Sequence, residues 1–153
     1  TEGVHEMIAF VFDVSLIMLT DGLGTPLYPF GYGLSYTTFE YSDLQVIRKS
    51  PCHFEVSFKV KNTGSYDGEE VAQLYLRDEY ASVVQPLRQL KCFERFFLKR
   101  GEEKEIFFTL TEKDLSIIDR NMKRVVETGD FRIMIGASSD DIRLTKDISV
   151  ESL

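Results

Sequence analysis

The chain has 153 residues, 43% of them hydrophobic, which suits one domain with a substantial core and argues against disorder. Its net charge of −7 disfavours a nucleic-acid backbone or an anionic membrane surface as partner and leaves sugars and protein surfaces open. Its only cysteines, Cys52 and Cys92, do not make a disulfide framework; we expect two free thiols, although one bridge between strands is geometrically conceivable.

Residues 1–35 differ in character from the rest of the chain. The apolar run Ile8–Thr20 is interrupted by Asp13 and is too short to cross a bilayer. No basic leader precedes it, which weakens a signal-peptide interpretation. Two interpretations stay open: the segment belongs to a preceding domain, or it adds a strand and a loop to the domain that follows.

The stretch PLYPFGYGLSY, residues 26–36, combines two prolines, two glycines and four aromatic rings. Pro lacks an amide donor and Gly weakens helices and strands, so we predict a shaped connector here. Each ring could bury more than ~100 Å², so we expect something to cover them. The cover is the chain's own core, a ligand or another domain. The four rings belong to Tyr28, Phe30, Tyr32 and Tyr36.

From residue 36 onward, hydrophobic residues recur at every second position, as in strands with one buried face. The clearest run is HFEVSFKV, residues 53–60, and the same alternation marks residues 103–110 and 130–136. Residues 70–78 fit a strand covered on both faces, and residues 89–98 and 142–150 also look extended. Gly, Asn and Asp mark turns between these runs at 62–68, 99–103, 127–130 and 138–141. We predict an all-β fold, an antiparallel sandwich of about seven strands.

One segment, Thr111–Asp119, is compatible with a helical turn. Thr111 would be its cap, and Asp114 would lie in the first turn, where a negative charge is favourable. The sequence leaves helix and extended structure equally open here.

Paired carboxylates are the first chemistry to consider, because glycoside hydrolysis needs two of them facing each other across a sugar. Glu69 and Glu70, and Asp140 and Asp141, are neighbours in turns or strand starts, where alternation or solvation separates them. We interpret all four as surface residues.

Nucleophilic, metal-binding and phosphate-binding sites have even less support in the sequence. His53 lies beside Cys52 on a predicted strand, where neighbours point to opposite faces and cannot form a Cys–His pair. The two histidines and two cysteines lack the spacing of zinc ligands. We interpret SSDD at 138–141 as an ordinary turn and not as a calcium site. The G-x-G of the connector lacks the strand, helix and distal acid that frame a phosphate-binding loop. We therefore predict no catalytic, cofactor-binding or metal-binding residue.

Surface aromatic rings raise a further hypothesis, since sugar-binding sandwiches lay flat rings along a sheet or loop. Tyr66, Tyr75 and Tyr80 are the candidate sugar contacts, but the chain has no Trp, which offers the largest platform. A carbohydrate-binding module is therefore the alternative function.

Four motifs carry a family resemblance, and they cover residues 27 to about 150. They are PLYPFGYGLSYTTFEYSDL, VKNTGSYDGEEVAQLYLRD, VVQPLRQLKCFERFFLKRGEEKEIFFTLTEKDL and ETGDFRIMIGASSDDIRL. In this order they resemble the carboxyl-terminal region of glycoside hydrolase family 3, which includes β-glucosidases and β-xylosidases. Two features depart from the family pattern: Cys92 stands where Gly is usual, and residues 1–21 match poorly.

The resemblance implies a parent with a barrel that carries the nucleophile, an α/β sandwich that supplies the acid/base, and a fibronectin type III-like domain after them. By this likeness residues 1–35 are the remnant of the α/β sandwich and a connector, and residues 36–153 are the fibronectin type III-like, immunoglobulin-like domain. The connector residues would fill the joint between domains, with two glycines allowing close backbone approach. They are Tyr28, Phe30, Gly31, Tyr32, Gly33 and Tyr36.

The implied function is a noncatalytic accessory domain that packs against the catalytic domains of the same polypeptide. We expect loops such as residues 80–90 to approach the rim of the active site. The exposed rings predict a homodimer when the domain is isolated from its neighbours. The compartment and the sugar specificity of the parent stay open.

Overall fold

The computed structural model describes residues 27–80 and 87–151. Predictions that fall on residues 1–26 and on most of the loop 80–90 lie outside the described residues. The chain divides into two compact units, Thr1–Phe30 and Gly31–Leu153. Of the first unit only residues 27–30 are described, and they lie in a bend and a turn.

The second unit is built almost entirely of antiparallel strands. In chain order its described elements are β1 (Phe39–Ser50), β2 (His53–Asn62), β3 (Gly68–Asp78), β4 (Gln89–Leu98), β5 (Glu103–Leu110), α1 (Glu112–Leu115), β6 (Ile117–Ile118), β7 (Arg124–Val125), β8 (Gly129–Gly136) and β9 (Ile142–Val150). One sheet has the order β1-β2-β5, a second has the order β4-β3-β8-β9, and β6 pairs with β7. Seven of these strands are long, which confirms the predicted antiparallel β-sandwich.

The core lies between the two large sheets and is made by the alternating positions of the strands. On β2, the predicted inward residues Phe54, Val56, Phe58 and Val60 are at most 2% exposed. The Phe58 ring stacks on Tyr41 with centroids 6.0 Å apart and packs at a tilt against Phe108 on β5. The second sheet contributes Ala72, Leu74, Leu76, Phe131, Ile133 and Ile135, all buried. Burial of such side chains is the main favourable term in folding.

Three edge strands carry β-bulges. In β1, Asp43 and Leu44 lie opposite one residue of β2, and Asp43 adopts a left-handed φ of 56°. This bulge moves the inward positions from Phe39 and Tyr41 to Leu44 and Val46. Registers also shift at position 91 in β4 and at position 143 in β9. The bulge in β1 explains why the alternation of residues 39–50 is broken in the sequence.

The helix is shorter than the segment Thr111–Asp119 in which the sequence allowed one. Asp114 Oδ2 accepts hydrogen bonds from the Thr111 backbone amide at 2.9 Å and from the Thr111 hydroxyl at 2.7 Å, so the proposed cap is present. After Leu115 the chain becomes extended, which buries Ile117 and pairs it with β7. No helix in the described ranges is long and apolar enough to span a membrane.

Both cysteines are free thiols. Cys52 belongs to the core, whereas Cys92 is half-buried on edge strand β4, with its Sγ 3.8 Å from the Thr109 carbonyl oxygen. Burial raises the pKa of the Cys92 thiol, with a smaller contribution from Asp114. The thiolate that would be needed for reaction is therefore disfavoured.

Candidate interdomain surface

The connector is attached to the outward side of β3 through the side chain of Gln73, which is 3% exposed. Gln73 Nε2 donates to the carbonyl oxygens of Gly31 at 3.0 Å and Ala137 at 2.6 Å, and Oε1 accepts a hydrogen bond from the Tyr75 hydroxyl at 2.5 Å. Gly31 has a φ of +78°, and a Cβ there would clash with Gln73 and lie 2.9 Å from the Tyr75 hydroxyl. Position 31 therefore requires Gly for both backbone conformation and space.

A second attachment lies at Asn62, which is fully buried. Asn62 Oδ1 accepts hydrogen bonds from the Thr37 hydroxyl at 2.7 Å and from the Gly64 amide at 3.1 Å. Asn62 Nδ2 donates to the carbonyl oxygens of Tyr66 at 2.8 Å and Leu98 at 3.1 Å. One amide side chain thus joins Thr37, which directly follows the connector, the turn after β2 and the end of β4.

The connector rings are largely exposed. The exposed fractions are 47% for Tyr32, 89% for Leu34 and 98% for Tyr36, and Tyr28 and Phe30 are 64% and 66% exposed. Within the described residues of the second unit, Leu34 and Tyr36 are therefore left largely uncovered, and cover of the connector rings by another domain stays a prediction.

Gly33 differs from Gly31. Among residues 27–80 and 87–151, no heavy atom lies within 4 Å of the position that a Cβ at residue 33 would occupy. None of the described residues therefore requires a close backbone approach at Gly33, and its packing against a neighbouring domain stays a prediction.

The three candidate sugar contacts do not share a surface. Tyr75 is 1% exposed, so it is not a surface residue, and burial raises the pKa of its hydroxyl. Tyr66 and Tyr80 are 66% and 80% exposed, but they flank opposite ends of β3. An 11-residue strand is roughly 35 Å long, so the two rings cannot stack on one sugar.

The neighbouring acids Glu69 and Glu70 point to opposite sides of β3. Glu69 faces outward, where it accepts a hydrogen bond from Arg95 Nε at 3.1 Å. Glu70 is half-buried; burial raises the pKa of its carboxyl, against opposing contributions from the Val71 amide and Arg143. The predicted separation of the two side chains by strand alternation is present.

Asp140 and Asp141 pair with different arginines. Arg88 contacts Asp140 at 3.2 Å. Arg143 binds both carboxylate oxygens of Asp141, at 2.6 and 2.7 Å, which lowers the pKa of that carboxyl. Arg143 also donates to the Phe39 carbonyl oxygen at 2.8 Å, so its role is to join β9 to β1.

No metal site is assembled from the described residues, since no three His, Cys, Asp or Glu side chains there are grouped to hold an ion. His53 is half-buried at the start of β2, and Cys52 is buried. The two side chains thus differ in environment, as alternation along an extended chain predicts.

Sequence reasoning missed the two amides that hold the connector. Gln73 had a signal: it is a polar residue in a strand predicted to be covered on both faces, and buried polar groups are nearly always hydrogen-bonded. Asn62 had none beyond its place at the start of a turn, because its two fully buried hydrogen bonds reach Thr37 and Leu98, 25 and 36 residues away.

Comparisons with known proteins point to one group. Residues 70–139 match the family described as fibronectin type III-like domain. The chain is 47% identical over 131 residues to thermostable beta-glucosidase B of Acetivibrio thermocellus, covering 83% of this chain and 17% of that protein. It is 48% identical over 124 residues to a beta-xylosidase of Formosa agariphila, covering 78% of this chain and 17% of that protein.

Solved structures agree with the sequence relatives. Beta-glucosidase 3B of Thermotoga neapolitana, in complex with alpha-D-glucose, superposes with a TM-score of 0.79 at 38% identity over 84% of this chain and 18% of that one. The GH3 beta-glucosidase of Bifidobacterium adolescentis gives a TM-score of 0.80 at 33% identity, over 84% of this chain and 20% of that one. This chain therefore spans about one sixth to one fifth of the length of the proteins it matches.

Proposed function

This chain belongs to the fibronectin type III-like domains of glycoside hydrolase family 3 proteins, and we propose that it is the noncatalytic accessory domain of a β-glucosidase-like or β-xylosidase-like hydrolase. Its work is to stabilise the parent enzyme by packing against the catalytic domains of the same polypeptide. The parent hydrolyses O-glycosyl bonds with residues outside this chain.

One observation carries the proposal: the segment 31–37 is hydrogen-bonded to the sandwich near both ends, through the Gly31 carbonyl and the Thr37 hydroxyl, while Leu34 and Tyr36 between them are largely exposed. Gln73 holds Gly31, and Asn62 holds Thr37, so the intervening segment has a fixed course. A flexible linker would instead be polar and unattached. Apolar side chains presented on a fixed backbone are typical of a surface that packs against protein.

Enzyme assays on the purified chain test the noncatalytic role. We expect no hydrolysis of nitrophenyl β-glucoside or β-xyloside. We also expect no heat in calorimetric titration with soluble glucans and xylans, because Tyr75 is buried and Tyr66 and Tyr80 are far apart. Hydrolysis that survives rigorous purification would contradict the proposal, and saturable heat would replace it with the carbohydrate-binding alternative.

An exchange experiment tests the stabilising role. The matched segment of thermostable beta-glucosidase B is deleted in one variant and replaced by this chain in another. We expect the deletion to lower the thermal midpoint and the activity, and the replacement to restore both. A deletion variant as stable and as active as the intact relative would refute a stabilising role.

A further inference from the structure

The hairpin formed by β6 and β7 presents a methionine in its turn. Of the four methionines in the chain, two lie in the described ranges, Met122 in this turn and Met134 on β8. Met122 is 83% exposed, whereas Met134 is 6% exposed. A thioether is oxidised only where an oxidant can reach its sulfur. The two methionines therefore differ sharply in the access that they give to an oxidant in solution.

The turn is held by Asp119 and by the backbone. Asp119 Oδ1 accepts hydrogen bonds from the amides of Asn121 and Lys123, both at 2.8 Å. The Asp119 carbonyl oxygen accepts a hydrogen bond from the Met122 amide at 3.0 Å, and the Asp119 amide donates to the Lys123 carbonyl oxygen at 2.8 Å. These four bonds use only backbone groups and one carboxylate. A chemical change at the end of the Met122 side chain therefore leaves all four in place.

Met122 has an unusual backbone conformation, with a left-handed φ of 60°. Such a φ is uncommon for a residue other than Gly and persists where the surrounding bonds over-determine the local conformation. Because most of the Met122 side chain is exposed, it buries little apolar surface and adds little to the free energy of unfolding. The fold therefore does not depend on this side chain remaining apolar.

Met134 lies in a different environment, on an inner strand of the four-stranded sheet. It pairs with Tyr75 on β3 and with Thr145 on β9. An oxidant reaches its sulfur only when this part of the sheet opens, and opening of inner strands costs up to the whole free energy of unfolding. A sulfoxide formed there would also place a polar group in a buried position. Oxidation at Met134 is therefore both slow and destabilising.

We propose that Met122 is a site of oxidation by hydroperoxides, and that its sulfoxide forms without loss of the fold. The sulfur lone pair attacks the terminal oxygen of the hydroperoxide, so that a sulfur–oxygen bond forms and the oxygen–oxygen bond breaks. The sulfur loses two electrons, and the hydroperoxide is reduced to an alcohol. The proton of the attacked hydroxyl passes to the alkoxide that leaves. One oxidant molecule is thus consumed at the surface while Met134 stays unchanged.

The test treats the purified chain with tert-butyl hydroperoxide and follows the sulfoxide at each methionine by peptide mass spectrometry. Under native conditions we expect Met122 to be oxidised at least ~10-fold faster than Met134, because only Met134 needs an opening step. In denaturing urea we expect the two rates to become equal. Equal rates in the folded chain would overturn the proposal, and so would a difference that persists in urea, because its cause would then not be the fold.

Met122→Leu tests the second half of the proposal, since Leu keeps an apolar side chain of similar size without the sulfur. We expect this variant to lose the fast oxidation and to keep the urea midpoint of the unsubstituted chain. We also expect the unsubstituted chain to keep its urea midpoint once Met122 is oxidised and Met134 is not. A fall in midpoint on oxidation that Met122→Leu prevents would show that the fold depends on this side chain and would overturn the claim that the sulfoxide is tolerated.

Discussion

Replacing Asn62 with Ala tests whether one buried amide holds the loops of the sandwich together. The substitution removes four hydrogen bonds, to Thr37, Gly64, Tyr66 and Leu98, of which those to the Thr37 hydroxyl and the Leu98 carbonyl are fully buried. At about 1 kcal/mol for each bond, the loss is about 4 kcal/mol. The Thr37 hydroxyl and the Leu98 carbonyl would be left buried without a partner, which adds to the cost in free energy of unfolding.

The expected cost is a large fraction of the stability of a domain, which is about 5–15 kcal/mol. At about 3 °C for each kcal/mol, the thermal midpoint falls by roughly 12 °C. Urea unfolding followed by tyrosine fluorescence and circular dichroism measures the free-energy change directly, with an unchanged slope showing that the folded state keeps its compactness.

Asn121→Ala is the matched control, because Asn121 is exposed and its side chain makes a single long contact of 3.4 Å to Asp119. We expect the control to change the free energy of unfolding by less than ~0.5 kcal/mol. If Asn62→Ala costs under about 1 kcal/mol, the reasoning that the amide joins connector, turn and strand end is wrong.

Three further outcomes follow from single contacts. Gly31→Ala should lower the free energy of unfolding by about 1–3 kcal/mol, because the new Cβ meets Gln73 at a positive φ, while Gly33→Ala should stay within about 0.5 kcal/mol; equal urea midpoints would contradict this. Tyr41→Phe should leave the free energy of unfolding unchanged or raise it by up to about 1 kcal/mol, because the buried hydroxyl has no hydrogen-bond partner among the described residues. A clear loss of stability in urea unfolding would show that the hydroxyl does have a partner. Glu70→Gln should stabilise the domain at pH 7, because burial raises the pKa of the carboxyl and its ionisation costs stability as the pH rises above 4.5; the gain should vanish in urea titrations below that pH.

The sandwich could be predicted because alternation is a local signal. Strands β2, β5 and β8 are visible as runs in which every second residue is apolar, with β2 the clearest, and β3, β4 and β9 are recognisable as extended segments. The strand β1 is not, because the bulge at Asp43 moves the inward side chains from odd to even positions. The sequence also did not predict the length of α1. The helix ends at Leu115 because burial of Ile117 in an extended conformation outweighs the propensity of the segment to continue as a helix.

The candidate surface was only partly predictable, because exposure depends on packing between strands distant in sequence. In the run Phe93–Leu98, apolar residues occur at both parities, and alternation alone cannot say that Phe96 is buried while Phe93 and Phe97 are exposed. The sequence pointed to tyrosines for sugar contact, yet Tyr75 is buried because the backbone at Gly31 passes beside its hydroxyl.

The β-bulges also affect how this sandwich behaves at high concentration. A flat edge strand offers unpaired amides and carbonyls to any other chain and so invites fibril growth. Strands β1, β4 and β9 are each irregular along the border they present, and the remaining border strand, β5, begins with the charged residues Glu103, Lys104 and Glu105. In the part of the chain that the structure describes, each border of the two large sheets is thus a poor template for another strand, which favours side-chain contacts between faces over edge-to-edge pairing when isolated molecules associate.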